Sequence, residues 1–432
     1  GDPTHPADLE MVRLEEAEML IILADQVGGD SRAIRTLIAA DSSLRGFETV
    51  PAVVEVHDTA TAAHLARVYP TGVHTLVPSL AIGRIAAIAL REAGLGQVAT
   101  SLLDDQGSDI HISEIPPPVG TRFSDIRDDY PTARPLGILR AGGDVELNPA
   151  AEARFEEGDR MILISDRGGG LVGSGHVVDS TVAADHEDIA LDFDRPDQHL
   201  LVVGWSELAA LMLADWASVT APTSTAEVLI DPKTVAGDEI VTPDGPVFEV
   251  TTSSGVPDLA ERLAGSPRID TILICANVAG VEETDVDSRT LLDLVAIRRT
   301  LKGLTDPMPR VLVELLDVDS VPLADMPNPD DFVVSEALVS QLIAQLAEQP
   351  DRRRVLLQLY DHSGPSIHLV SPERLGLLGL HKAREVFEAA YRAGVLAIGW
   401  RLSGARGGQV VINPGRDQEE GFDEDDRIAV IG

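Results

Sequence analysis

Short runs of Val, Ile and Leu alternate along this chain with stretches whose apolar positions recur every three or four residues. Apolar runs without polar alternation suit strands covered on both faces, and helices between them imply βαβ units and a parallel sheet. In the first part of the chain the predicted strands are Met19–Ala24, Ala52–Val56 and His74–Val77. Later come His199–Gly204, Glu227–Ile230, Val247–Val250, Asp270–Cys275, Arg310–Leu316 and Phe332–Val334, which predict a six-stranded, doubly wound domain. A smaller β-rich stretch follows the first set over roughly 97–180. Its predicted strands are Asp109–Ile115, Leu136–Arg140 and Gly158–Ser165, with a turn at Gly142-Gly143-Asp144. A helical pattern covers Pro6–Ala17 near the start.

The pattern is written twice. Asp30-Ser31-Arg32 opens a helical run, and Asp287-Ser288-Arg289 opens another at an offset of 257. Val53–Asp58 pairs with Leu312–Asp317 at 259, Asn148-Pro149 with Asn413-Pro414 at 265, and Gly158–Ile164 with Asp425–Ile431 at 267. The offsets drift one way, as small insertions would make them. The expected fold is α/β: two tandem Rossmann-like, doubly wound parallel sheets, each followed by a small β-rich α+β subdomain. The expected divisions are 1–98 and 99–182 for the first copy, an acidic linker at 183–198, and 199–348 and 349–432 for the second. Copy two has three strands before Asp270 that lack counterparts in copy one. The first sheet is therefore expected to be incomplete here, with about fifty residues of that copy upstream of Gly1, because a half-sheet leaves an unpaired strand edge.

Composition narrows the function classes. The 432 residues carry 34 Lys+Arg against 71 Asp+Glu, a net charge of -37, which repels phosphate backbones and excludes a nucleic-acid groove. A single cysteine, Cys275, excludes a disulfide scaffold and any cysteine-based zinc cluster. No apolar run is long enough to span a bilayer. Only three of the basic residues are lysines (Lys233, Lys302, Lys382), which fits a GC-rich bacterial genome.

Tandem units of this kind resemble RCK domains, the regulators of potassium conductance also called TrkA-N and TrkA-C. Gly1-Asp2-Pro3-Thr4, followed by Leu9 and Ala17, resembles that family's GDxT segment, and Leu136–Asp166 resembles its C-terminal subdomain. A more specific order is similar to the CASTOR/POLLUX cation channels: Val53–Asp58, Ile82-Gly83-Arg84, the apolar helix leading to Gly94-Leu95, Pro135–Ile138, and Leu147-Asn148-Pro149 through Gly158-Asp159. The resemblance covers most of residues 1–180 and copy two more loosely. It implies a cytoplasmic gating ring, a homotetramer of tandem units below a membrane pore, regulated by calcium. The pore would lie upstream of Gly1. The alternative is a soluble nucleotide-binding regulatory subunit of a TrkA-type potassium uptake system.

Ligands of open α/β sheets sit at the carboxyl ends of the strands. Those ends are acidic here. Asp25, Asp30, Glu55 and Asp58 mark them in copy one, and Glu282, Asp285, Asp287, Glu314 and Asp317 in copy two. Carboxylates converging on one crevice repel unless a cation neutralises them, so these nine are candidate ligands for calcium, which takes six to eight oxygens. Asp30 and Asp287 also suit helix N-caps with ion pairs to Arg32 and Arg289. Glu55 lies inside an apolar strand and needs a partner. Gly204, Ser206 and Asp231 form a degraded dinucleotide fingerprint, in which Ser206 stands where a glycine would let backbone approach pyrophosphate. NAD or another nucleotide is therefore not expected there. His57 suits either a polar cap or a pH sensor beside a carboxylate. Cys275 reads as a buried hydrophobe. No G-x-S-x-G, H-E-x-x-H or P-loop is present, and no enzyme activity is expected. The helices Leu80–Ala93 and Leu338–Leu346 are apolar over much of their circumference, as core or as a subunit seam.

Overall fold

A computed structural model describes residues 1–24, 29–103, 107–127, 130, 132–166, 191, 197–230, 247–252, 263, 269–276, 283–303, 308–325, 330–360, 364–403, 406 and 408–432. These form two compact units: Gly1–Ile82 with Val339–Arg353, and Gly83–Leu338 with Arg354–Gly432. This division into compact units differs from the division into repeats. Most of the acidic linker lies outside the described residues.

In the first unit, strands β1 (Leu20–Ile22), β2 (Ala52–Glu55) and β3 (Val73–Leu76) make a parallel sheet in that order. The helix Gly29–Leu44 buries Ala33, Leu37 and Ala40, a stripe at i, i+4 and i+7, against Val54, Val56 and Phe47. It stops where Arg45 turns left-handed (φ 59°). The helix Thr59–Val68 is N-capped by Asp58, whose carboxylate accepts the Ala60 and Thr61 amides. The helix predicted over Pro6–Ala17 is shorter than expected. It ends at Met11, because Arg13 takes a left-handed conformation (φ 52°) and a single tight turn, Leu14–Glu16, follows. At the chain start, Asp2 accepts the Thr4 amide and hydroxyl in a local turn.

The second unit holds three larger sheets. Strands β4 (Ser108–Ile112), β5 (Ala133–Leu139), β6 (Val145–Leu147) and β7 (Arg160–Asp166) form an antiparallel sheet in the order β4-β7-β5-β6. Strands β8 (His199–Val203), β9 (Thr225–Ile230), β10 (Val247–Thr252), β11 (Thr271–Ile274), β12 (Arg310–Leu315) and β13 (Asp331–Val334) form an all-parallel sheet in the order β10-β9-β8-β11-β12-β13. That is the doubly wound order 3-2-1-4-5-6. Strand β14 (Ile367–Val370) pairs with β19 (Arg427–Ile431), and β15 (Gly379–Lys382) pairs with β18 (Glu419–Phe422). With β16 (Leu396–Arg401) and β17 (Val410–Ile412), the last large sheet runs β14-β19-β16-β17.

The repeat is therefore structural. The two antiparallel sheets have the same strand order, and both carry a bulge at the same place, Pro135/Gly137 in β5 and Ala397/Gly399 in β16. Glycine is required at both bulges: a Cβ on Gly137 would sit 2.2 Å from the Glu146 carbonyl oxygen, and one on Gly399 would sit 2.0 Å from that of Val411. Asn148 and Asn413 both adopt left-handed backbone (φ 45° and 49°), which asparagine tolerates better than most residues. Their side chains act reciprocally: Asn148 donates to the Gly394 carbonyl at 2.9 Å, and Asn413 to the Thr132 carbonyl at 3.0 Å. A further pair is repeated. Arg140 bonds Asp159 (2.7 Å) and Glu146 (3.0 Å), while Arg406 bonds Asp426 and Glu420 (2.6 Å each).

Copy one's crossing segment docks on copy two within this unit. The helix Pro78–Arg91 buries Ile85, Ile88 and Leu90. Gly96 N–H donates to buried Asp331 (3.2 Å), Arg310 to the Leu90 carbonyl (2.8 Å), and Arg91 to the Ile367 carbonyl (2.7 Å). Leu338, Leu342 and Leu346 are buried as well, so both apolar helices act as core within one chain.

Candidate functional site

The acidic strand ends of the two copies have one architecture. In the first unit both Asp30 oxygens reach across to the end of β2, accepting the His57 amide at 2.7 Å and the Asp58 amide at 3.0 Å. Glu55 closes β2 and accepts the Ala24 amide from the end of β1 at 3.1 Å, which supplies the partner an apolar strand demands. Asp58 is committed to its helix cap, including the Thr61 hydroxyl at 2.8 Å. His57 places Nδ1 3.4 Å from Asp30 and stays half exposed. Asp25 lies outside the described residues.

In the second unit Asp287 does what Asp30 does. It accepts the Leu316 amide at 2.9 Å and the Asp317 amide at 3.0 Å. Glu314 does what Glu55 does and accepts the Ala276 amide at 2.9 Å. Asp317 caps the short turn after β12 by accepting the Asp319 amide at 2.9 Å. Glu282 and the side chain of Asp285 lie outside the described residues. In each copy one aspartate staples the start of a helix to the next strand, and one glutamate ties two adjacent parallel strands together. Hydrogen bonds to a charged acceptor contribute roughly 1.5–3 kcal/mol each.

These bonds bear on metal binding. Both oxygens of Asp30 and of Asp287 face backbone amides. Among the described residues, no group of three or more His, Cys, Asp or Glu side chains is placed to hold a metal ion. The described carboxylates by themselves do not form a calcium cage of six to eight oxygens.

The degraded dinucleotide loop is occupied by protein groups. Gly204 takes positive φ (84°) as the turn after β8 requires. Ser206 caps the helix Glu207–Val219 by accepting the Ala209 amide at 3.0 Å, and its hydroxyl donates to Glu314 at 2.8 Å. Ser206 and Glu314 are both buried. Asp231 lies outside the described residues. Burial pushes Glu314 up to about 7, with the nearby Asp287 charge adding to the effect. Burial, and then Glu314, push the Cys275 thiol well up, away from the reactive thiolate.

Sequence reasoning missed two groups. Ser206 is more than a lost glycine: its spacing before an apolar helical run is an N-cap signal. Asp331, at the start of β13, is buried and held by the Gly96 amide, and burial raises it to about 7. Nothing local marks it, because its partner lies 235 residues away. Arg401 crosses the same junction, donating to Gln97 at 3.1 Å over Gly94 (φ 82°), where any Cβ would fall 2.0 Å from the guanidinium Nε.

A parallel six-stranded sheet, two matching antiparallel subdomains and a helix that carries one copy onto the other define the tandem RCK gating-ring fold. The human SLO3 gating ring shares it, with a TM-score of 0.68 at 13% identity, covering 100% of this chain and 90% of that one. In sequence the chain is CASTOR/POLLUX-like. Residues 80–177 match the family model "Castor and Pollux, part of voltage-gated ion channel". Ion channel CASTOR of Lotus japonicus is 26% identical over 96% of this chain and 53% of its own length. Probable ion channel POLLUX of Oryza sativa subsp. japonica is 25% identical over 97% of this chain and 47% of its own. The chain spans about half the length of the curated relatives it matches. Those relatives are plant proteins and lend no support to a bacterial origin. A GsuK channel bound to NAD matches only weakly, at a TM-score of 0.43 and 15% identity. Among the described residues no helix is long and apolar enough to cross a membrane.

Proposed function

We propose that this chain is the regulatory gating-ring portion of a CASTOR/POLLUX-type cation channel, acting on the cytoplasmic side of the membrane as a ring of four chains and without enzyme activity. The observation that carries the reading is the doubled architecture: matching sheets, bulges and carboxylate staples in both copies, combined with similarity to channel proteins along nearly the whole chain. A ring of such units does mechanical work if a ligand binds one lobe spacing better than another. The staples suit that task, since they stiffen each strand end without linking separate lobes.

Divalent-cation regulation belongs to this proposal through the acidic strand ends. The proposed ligand set is Asp25, Asp30, Glu55 and Asp58 in copy one and Glu282, Asp285, Asp287, Glu314 and Asp317 in copy two; the amide bonds of Asp30, Glu55, Asp58, Asp287, Glu314 and Asp317 limit what those six offer. Light scattering tests the ring: a mass four times the 46.0 kDa of one chain is expected, and a monomer at micromolar concentration sinks it. Thermal melting with and without millimolar calcium tests the cation. An unchanged midpoint, together with unchanged scattering dimensions, removes calcium from the reading and leaves the ring standing.

A further inference from the structure

Asp331 opens strand β13 where several elements of the second unit meet, and it is 3% exposed. The helix Leu95–Ser101, which continues the crossing segment of copy one, packs against β13, β14 and β17 of copy two. Its Gly96 amide donates to Asp331 Oδ2 at 3.2 Å, and the Phe332 amide donates to Oδ1 at 3.0 Å. The approach is as close as backbone allows: a Cβ on Gly96 would fall 2.9 Å from the same Oδ2. Both bonds come from neutral amides. The two nearby guanidiniums act on Asp331 through space and are turned elsewhere. Arg401 donates to Gln97 at 3.1 Å, and Arg310 to the Leu90 carbonyl at 2.8 Å and the Thr271 hydroxyl at 3.0 Å.

The other charged groups around this junction have partners of their own. Asp330, beside it on the chain, accepts the Val311 amide at 2.7 Å and pairs with Arg298 at 2.9 Å. Asp270, before β11, accepts the His199 amide at 2.9 Å and faces Arg310 through space. Glu92 of the crossing segment faces Arg310 as well and accepts the Leu369 amide at 2.8 Å. His368 of β14 lies 3.8 Å from Glu92 and 3.1 Å from the Ser366 hydroxyl. The helix Leu95–Ser101 and β17 carry no titratable side chain. Burial raises Asp331 to about 7, an effect that the Phe332 amide and the Arg401 charge offset only in part. Released from the junction, the carboxyl returns to water and ionises near 4, as ordinary carboxyls do. Closing the junction therefore takes up a proton. That contribution is fully present below about pH 4 and is lost as pH rises through about 7.

We propose that Asp331 and the segment 94–101 form a proton-operated latch, which holds the crossing segment of copy one on copy two while the carboxyl is neutral and releases it when the carboxyl ionises. The proton acts as any ligand does, favouring the arrangement that binds it better. The latch uses none of the strand-end carboxylates proposed for calcium and needs no pore, so it stands or falls separately from the channel reading.

Hydrogen exchange of the full chain at pH 6 and pH 8 tests the latch, with each rate divided by the amide's intrinsic rate at that pH. Ionisation near 7 when closed and near 4 when open gives an expected loss of protection over 94–101 of about tenfold between the two pH values. The segment opens on its own, so its protection should stay below that of strand β7 at both. No loss over 94–101 overturns the latch. Equal protection in 94–101 and β7 reports global unfolding and overturns it too. Asp331→Asn keeps the shape and an oxygen for the Gly96 amide but cannot ionise, so protection over 94–101 should no longer depend on pH. A response that persists in D331N belongs to another group and overturns the assignment. His368→Gln should keep the tenfold response; its loss there would move the sensor to His368 and Glu92 and overturn Asp331. The contrast between 94–101 and β7 in the unaltered chain decides the matter if D331N does not fold.

Discussion

The two acidic strand ends make the same backbone bonds and differ in what covers them. Asp287 and Glu314 are buried, with Ser206 closing over the glutamate, whereas Glu55 is half exposed and bonded to the Ala24 amide. A repeated hydrogen-bond pattern thus keeps its geometry while its electrostatics follow from the surroundings. Burial pushes Glu314 up to about 7.

The largest expected effect breaks the staples themselves. Asp287→Ala leaves two part-buried amides without their acceptor and should cost about 3 kcal/mol, read from chemical denaturation. Asp30→Ala should cost roughly half as much, since water reaches its amides more easily. Equal losses would show that burial does not separate the two copies.

A pH series sharpens the same contrast. Glu314 and Asp331 are raised to about 7 in the folded chain, above ordinary carboxyl values near 4. The folded state then holds protons that the unfolded state has released, so stability is greatest at low pH within this window and falls as pH rises from about 5 to about 7. Each group contributes a slope of up to about 1.4 kcal/mol per pH unit. Glu314→Gln should remove its share of that slope, and melting curves at pH 5, 6, 7 and 8 show whether it does.

The bulge glycines should behave alike in the two copies. Gly137→Ala and Gly399→Ala each force a Cβ against a carbonyl oxygen and should cost about 2 kcal/mol, with similar losses of melting temperature. A large difference between them would mean that the two antiparallel sheets have diverged in rigidity. The smallest effect belongs to Ser206→Ala, about 1 kcal/mol for the lost helix cap. It should also leave Glu314 with one fewer donor and raise its titration further, a shift visible by NMR of the labelled carboxyl.

Much of this fold was legible because buried parallel strands announce themselves as unbroken apolar runs. Predicted Ala52–Val56 became β2 at Ala52–Glu55, and predicted Arg310–Leu316 became β12 at Arg310–Leu315. Strand β6, Val145–Leu147, was not read from the sequence, since three residues give no periodicity. The helix over Pro6–Ala17 was overextended because apolar spacing does not reveal a left-handed residue such as Arg13. The acidic positions were found, but their bonds were not. A carboxylate aimed at an amide and one aimed at a cation look the same in sequence.

The reciprocal Asn148 and Asn413 bonds have a consequence for assembly. Two like subdomains already meet face to face inside one polypeptide, in the manner of a dimer fused end to end. A self-complementary surface used in this way is closed to a second polypeptide. Growth beyond the single chain has to use other faces, and where those faces are unlike and meet head to tail, the contacts either close on themselves as a circle or run on as a filament.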